Sequence, residues 1–181
     1  MRTPRSLSIA ASTAVLGLAV GVGAATADTS DTDHPLAQKI TRHGVGEVEL
    51  GATHKSLHRR DLVGKLRHGC NLGGPNTRAA KLKAPLEGFV DYSLRNPRRV
   101  TNITLTEGGA AKGVGIGDSL RDIRHTFPHA RVNHGTDRTF GLTFVSVPRE
   151  HGSTPRFTFG VSTGREHHVK VIGIPFISVC E

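Results

Sequence analysis

Tryptophan is absent from this chain, and tyrosine occurs once, as Tyr92. Trp and Tyr supply many anchor side chains of tight protein interfaces, and aromatic rings form the stacking platforms of single-strand nucleic-acid binders. Their scarcity argues against specific nucleic-acid binding. Cysteine is nearly absent too. Cys70 and Cys180 are the only two, and no C-x-x-C spacing marks a thiol or zinc motif. Acidic residues are outnumbered, 15 Asp and Glu against 24 Lys and Arg, for a formal charge of +9 with neutral His. No pair of carboxylates stands out for acid–base work. Glu47 and Glu49 share one strand face and read as solvent-facing.

One long uncharged run exists, at the N-terminus. Arg2 and Arg5 precede SLSIAASTAVLGLAVGVGAA (residues 6–25), and Ala25-Thr26-Ala27 places small residues at a cleavage site. This pattern predicts a signal peptide over residues 1–27, a secreted, extracellular protein and no membrane span in the mature form. A basic secreted chain is drawn to anionic wall polymers, lipid heads or acidic proteins. In an oxidising compartment the two cysteines are expected to pair as Cys70–Cys180. That bond would tie the middle of the chain to its end, worth roughly 4–5 kcal/mol in the chain-entropy model.

Residues 28–43 are polar and aperiodic and read as a flexible leader. Two similar phrases follow, VELGATHKSL (residues 48–57) and VGIGDSLRDI (residues 114–123). In each, apolar residues alternate briefly, a glycine (Gly51, Gly117) permits an unusual backbone angle, and Thr53 or Ser119 sits at a helix N-cap. Asp122 lies three residues after Ser119, close to a capping box. Leu120, Ile123 and Phe127 form one apolar face, and Pro128 ends that helix. Strand-rich stretches follow each phrase: residues 88–105 around Asn96-Pro97, and residues 157–174 around Thr163-Gly164. TFGLTFVSV (residues 139–147) reads as a further strand, with KLKAPL (residues 81–86) as its weaker counterpart. The predicted fold class is α+β. Two tandem repeats, residues 44–109 and 110–181, would each hold a short helix and an antiparallel meander, with the helices packed on one sheet face.

The corners Leu50-Gly51-Ala52-Thr53 and Ile116-Gly117-Asp118-Ser119, set behind a signal peptide, resemble small secreted proteins of actinobacteria. The tandem layout looks like the β-lactamase inhibitory protein fold and the related outer-membrane assembly lipoproteins. The resemblance implies a binding scaffold and carries no inhibitory residues onto this chain.

Several stretches touch on chemistry. Gly160 to Gly164 matches G-x-S-x-G around Ser162, but a strand-like sequence follows where a nucleophile elbow needs a helix. The glycine-rich residues 113–117 lack the Lys and Ser/Thr of a phosphate loop. His54 and His58, among eleven histidines, have i, i+4 spacing that could face one metal ion. Arg95, Arg98 and Arg99 sit near a turn beside Tyr92, where an anionic partner could dock. The reading is therefore a secreted, non-enzymatic binding protein without a cofactor. Its partner would be an extracellular protein, such as an enzyme it inhibits, or an anionic cell-wall polymer. The alternative is a His-rich metal binder or small metal-dependent hydrolase built on His54 and His58.

Overall fold

The computed structural model describes residues 36–165 and 167–179. The expected signal peptide and Cys180 lie outside the described residues. β1 (Gln38–Thr41), β2 (Gly44–Val45) and β3 (Val48–Glu49) precede α1 (His54–Arg59). β4 (Arg67–His68), β5 (Arg78–Lys81), β6 (Glu87–Tyr92) and β7 (Val100–Glu107) follow, then β8 (Gly109–Ala111), β9 (Val114–Gly115) and α2 (Leu120–Thr126). The last group is β10 (Arg131–Asn133), α3 (Asp137–Phe140), β11 (Leu142–Val147), β12 (Phe157–Ser162) and β13 (Val169–Ile174).

The strands form two sheets. The larger has eight, in the order β10-β11-β12-β13-β7-β6-β5-β4; the smaller has five, in the order β3-β2-β1-β8-β9. In the larger sheet β7 and β13 pair antiparallel through Leu105 with Ile172 and Ile103 with Ile174. The edge strands β4 and β10 have two and three residues, so little unpaired backbone is offered to a neighbouring chain. In the smaller sheet β1 runs parallel to β8, with Gln38 opposite Gly109.

This architecture corrects the α+β expectation. The described chain is mostly β, with two large sheets and three short helices, rather than two helix-plus-meander repeats with helices layered on a sheet. The physical reason is helix length. α1 and α2 have six and seven residues and bury Leu57 and Ile123, while α3 has four and buries none. One buried side chain per helix contributes about 1.5–3 kcal/mol, too little for a layer. The hydrophobic burial lies instead in strands, with Phe157, Phe159 and Val161 of β12 and Val169, Ile172 and Ile174 of β13 all inside. Local corrections follow the same logic. Gln38–Thr41, in the stretch expected to be a flexible leader, is β1. Residues 82–86 are not strand, since β5 ends at Lys81. Thr139 and Phe140 belong to α3 rather than to a strand.

Both corners dock by the same backbone bonds. Gly51 N–H donates to Val100 O (2.8 Å) and Val100 N–H to Ala52 O (2.9 Å); Gly117 N–H donates to Val169 O (2.9 Å) and Val169 N–H to Asp118 O (2.8 Å). Each corner thus pins itself to the first residue of β7 or β13. Gly51 and Gly117 make this turn at φ 84° and 95°, where a side chain would be strained.

After β13, residues 175–178 lie against the larger sheet. Thr158 Oγ1 donates to Pro175 O (3.1 Å), Phe176 N–H to Asn102 Oδ1 (3.1 Å) and Ser178 N–H to Thr104 Oγ1 (3.2 Å).

Candidate functional site

The expected anion-binding residues differ in exposure and in their bonds. Tyr92 is 4% exposed, its ring edge-on to His54 at 5.5 Å, and its hydroxyl is buried without a hydrogen-bond partner among the described residues. Burial raises its pKa, so it stays a neutral phenol. It packs in the core and also lines a cleft on that side of β6 and β7. Arg98 Nη1 donates to Ser93 O (2.7 Å) and Asn76 O (3.2 Å), and Arg99 Nη1 to Gly51 O (2.9 Å), so both staple loops together. Arg95 is exposed on the β6–β7 connection.

His54 and His58 do come together, stacked with centroids 5.3 Å apart and planes at 13°. Each spends one ring nitrogen on a carbonyl: His54 Nε2 donates to Gly64 O (3.1 Å) and His58 Nδ1 to Val63 O (3.0 Å). The pair fastens the loop after α1. Among the described residues no group of three His, Cys, Asp or Glu could hold a metal ion. Ser162 ends β12 and its hydroxyl accepts from His168 N–H (3.2 Å), so the G-x-S-x-G stretch is a hairpin end. Among the described residues Cys70 has no disulfide partner, and its Sγ lies 3.7 Å from the carbonyl oxygen of Val179, the residue before Cys180.

Two clefts stand out. The first, about 360 Å³, is lined by Arg42, His43, Leu50, Arg149, Glu150, His151 and Arg156. Its walls are the β1–β2 turn, the β11–β12 connection and Leu50 just after β3. Arg42 Nε donates to His43 Nε2 (2.8 Å), and Arg156 pairs with Glu150 (3.0 Å). Three guanidinium groups therefore meet one carboxylate. Among the described residues Arg42 and Arg149 have no acidic partner, whereas Arg60 pairs with Glu47 and Lys83 with Asp61. Sequence reading missed this cleft because Arg42 lay in the expected leader. Its visible signal was REHGSTPR (residues 149–156), a basic loop between two strands.

The second cleft, about 470 Å³, lies where residues 175–178 meet β6 and β7, with Asp91 the only carboxylate in its lining among the described residues. Burial raises the pKa of Asp91, and hydrogen bonds from Ser178 and Asn102 oppose that rise.

Comparison with family models, curated proteins and solved structures returned no match. The site's own chemistry therefore carries the functional argument.

Proposed function

We propose that this chain is a secreted, non-enzymatic binding protein whose extracellular partner is anionic, a cell-wall polymer in the first instance. The observation that supports this reading is the cleft between the β1–β2 turn and the β11–β12 connection, where Arg42, Arg149 and Arg156 face a single carboxylate, Glu150. Guanidinium groups bind phosphate and carboxylate in paired hydrogen bonds, and without Arg2 and Arg5 the secreted chain keeps 22 Lys and Arg against 15 Asp and Glu, a net charge of +7 that steers anions toward it. This cleft is preferred to Tyr92, Arg98 and Arg99 as the anion contact because Tyr92 is buried and Arg98 and Arg99 each donate to a backbone carbonyl. The expected signal peptide supports the extracellular setting. A Cys70–Cys180 disulfide belongs to the same proposal, favoured by the approach of Cys70 to Val179. The metal-binding alternative has no third ligand beside His54 and His58 among the described residues.

The test is co-sedimentation of the oxidised protein with purified cell walls, before and after removal of their anionic polymers. Retention at about 50 mM salt, release by about 500 mM and loss on stripped walls are expected for a screened ionic contact. Equal retention on stripped walls, or none on either, overturns the reading.

A further inference from the structure

The second cleft points the other way in charge. Asp91 sits on β6 opposite Ala79 of β5 and Asn102 of β7. It also lines an adjoining groove of about 230 Å³ with His68, Ala79 and Phe89, so the carboxylate is approached from two sides. Its recorded contacts are neutral: Asn102 Nδ2 at 3.5 Å and the Ser178 side chain. Among the described residues no cation pairs with it. Arg78 lines the same cleft, but its Nη1 donates to Thr77 O (2.7 Å) and Pro75 O (2.9 Å). A partly desolvated carboxylate that no cation touches is costly, and a ligand cation in direct contact would relieve it. The rim supplies what an alkyl cation needs besides charge. Phe176 is 52% exposed, and Pro175 and Ile177 add apolar wall. Backbone bonds to Asn102 and Thr104 hold this rim in place, so little ordering is required on binding. The volume falls within the roughly 300–1,000 Å³ range of small-molecule sites.

The geometry points to a binding site for a protonated amine on an alkyl stem, with the ammonium on Asp91 and the stem along Phe176 and Ile177. This site is independent of the anion cleft.

Amide chemical-shift mapping with N-acetyl-lysine amide, and with cadaverine as a second arm, tests it. Shifts are expected at residues 77–78, 91–92, 101–102 and 176–178, and none with the neutral N-acetyl-norleucine amide, which keeps the butyl stem and lacks the ammonium. Binding by the lysine derivative and not by cadaverine assigns the site to a peptide side chain; binding by both assigns it to free amines as well. Asp91→Asn should weaken binding by about 10-fold or more, the loss of one charge-assisted contact. Phe176→Ala should weaken it less, and Arg149→Gln, in the other cleft, should leave it unchanged. Equal shifts with the norleucine derivative, an unchanged affinity in Asp91→Asn, or shifts confined to the region around Glu150 would overturn the assignment.

Discussion

The two corners, Leu50 to Thr53 and Ile116 to Ser119, look alike in sequence and dock alike, yet they are capped differently. At the first, Thr53 Oγ1 accepts from Ser56 N–H (3.2 Å), no acid sits in the first turn, and Arg99 crosses over to Gly51 O. At the second, Ser119 and Asp122 form a full capping box, with Ser119 N–H and Oγ–H donating to Asp122 Oδ2 at 2.8 and 2.6 Å. The Asp118 carboxylate also accepts Gly115 N–H (2.6 Å). Backbone docking onto β7 and β13 is shared, and so is the cap hydroxyl that accepts from the N–H three residues on, whereas the acid that completes the second cap is not. The common phrase thus encodes the turn, and the helix that follows is secured by whatever groups lie nearby.

The largest expected effects test what is shared. Leu57 and Ile123 are both fully buried, so Leu57→Ala and Ile123→Ala should each lower unfolding free energy by about 2–5 kcal/mol in denaturant titrations. A loss below about 1 kcal/mol at one corner would break the equivalence. The caps come next. Thr53→Ala and Ser119→Ala should each cost about 1 kcal/mol at neutral pH. Their pH dependence should differ. Hydrogen bonds from the Ser119 side chain and backbone hold Asp122 below the usual carboxylate range. Its contribution is therefore complete above the unfolded-state value and is lost as pH falls through the folded one. The penalty of Ser119→Ala should shrink between about pH 7 and about pH 2, while that of Thr53→Ala, without an acid, stays level. Parallel profiles would show that the second cap owes nothing to its acid. The smallest effect concerns the ring under the first corner. Tyr92→Phe removes a buried hydroxyl that has no hydrogen-bond partner among the described residues and should leave stability unchanged or raise it by about 1 kcal/mol, read as a higher midpoint.

Local chemistry was legible where it depends on neighbours in sequence. The caps at Thr53 and Ser119, the turn glycines and the long strands β6, β7, β12 and β13 follow from propensity and alternation. The smaller sheet was not, because its strands have two to four residues and exist only through pairing, as β1 with β8 across the chain. Two or three residues carry no period to read. The site suffered from a related limit. Tyr92 shares parity with the buried Val90, and that alternation alone would have turned it inward. Asp91, between them, drew no notice as a single carboxylate. Arg42 and Arg149 meet only because two distant turns converge.

The central claim is that the arginine cleft binds anions. It is tested most directly by titrating oxidised wild-type protein and the Arg42→Gln/Arg149→Gln/Arg156→Gln variant with long-chain polyphosphate over a range of salt. Wild type should bind with an affinity that falls steeply with salt, and the variant should lose about 10-fold or more with a shallower slope, while Arg95→Gln changes little. Equal affinity and equal slope for wild type and the cleft variant would contradict the account.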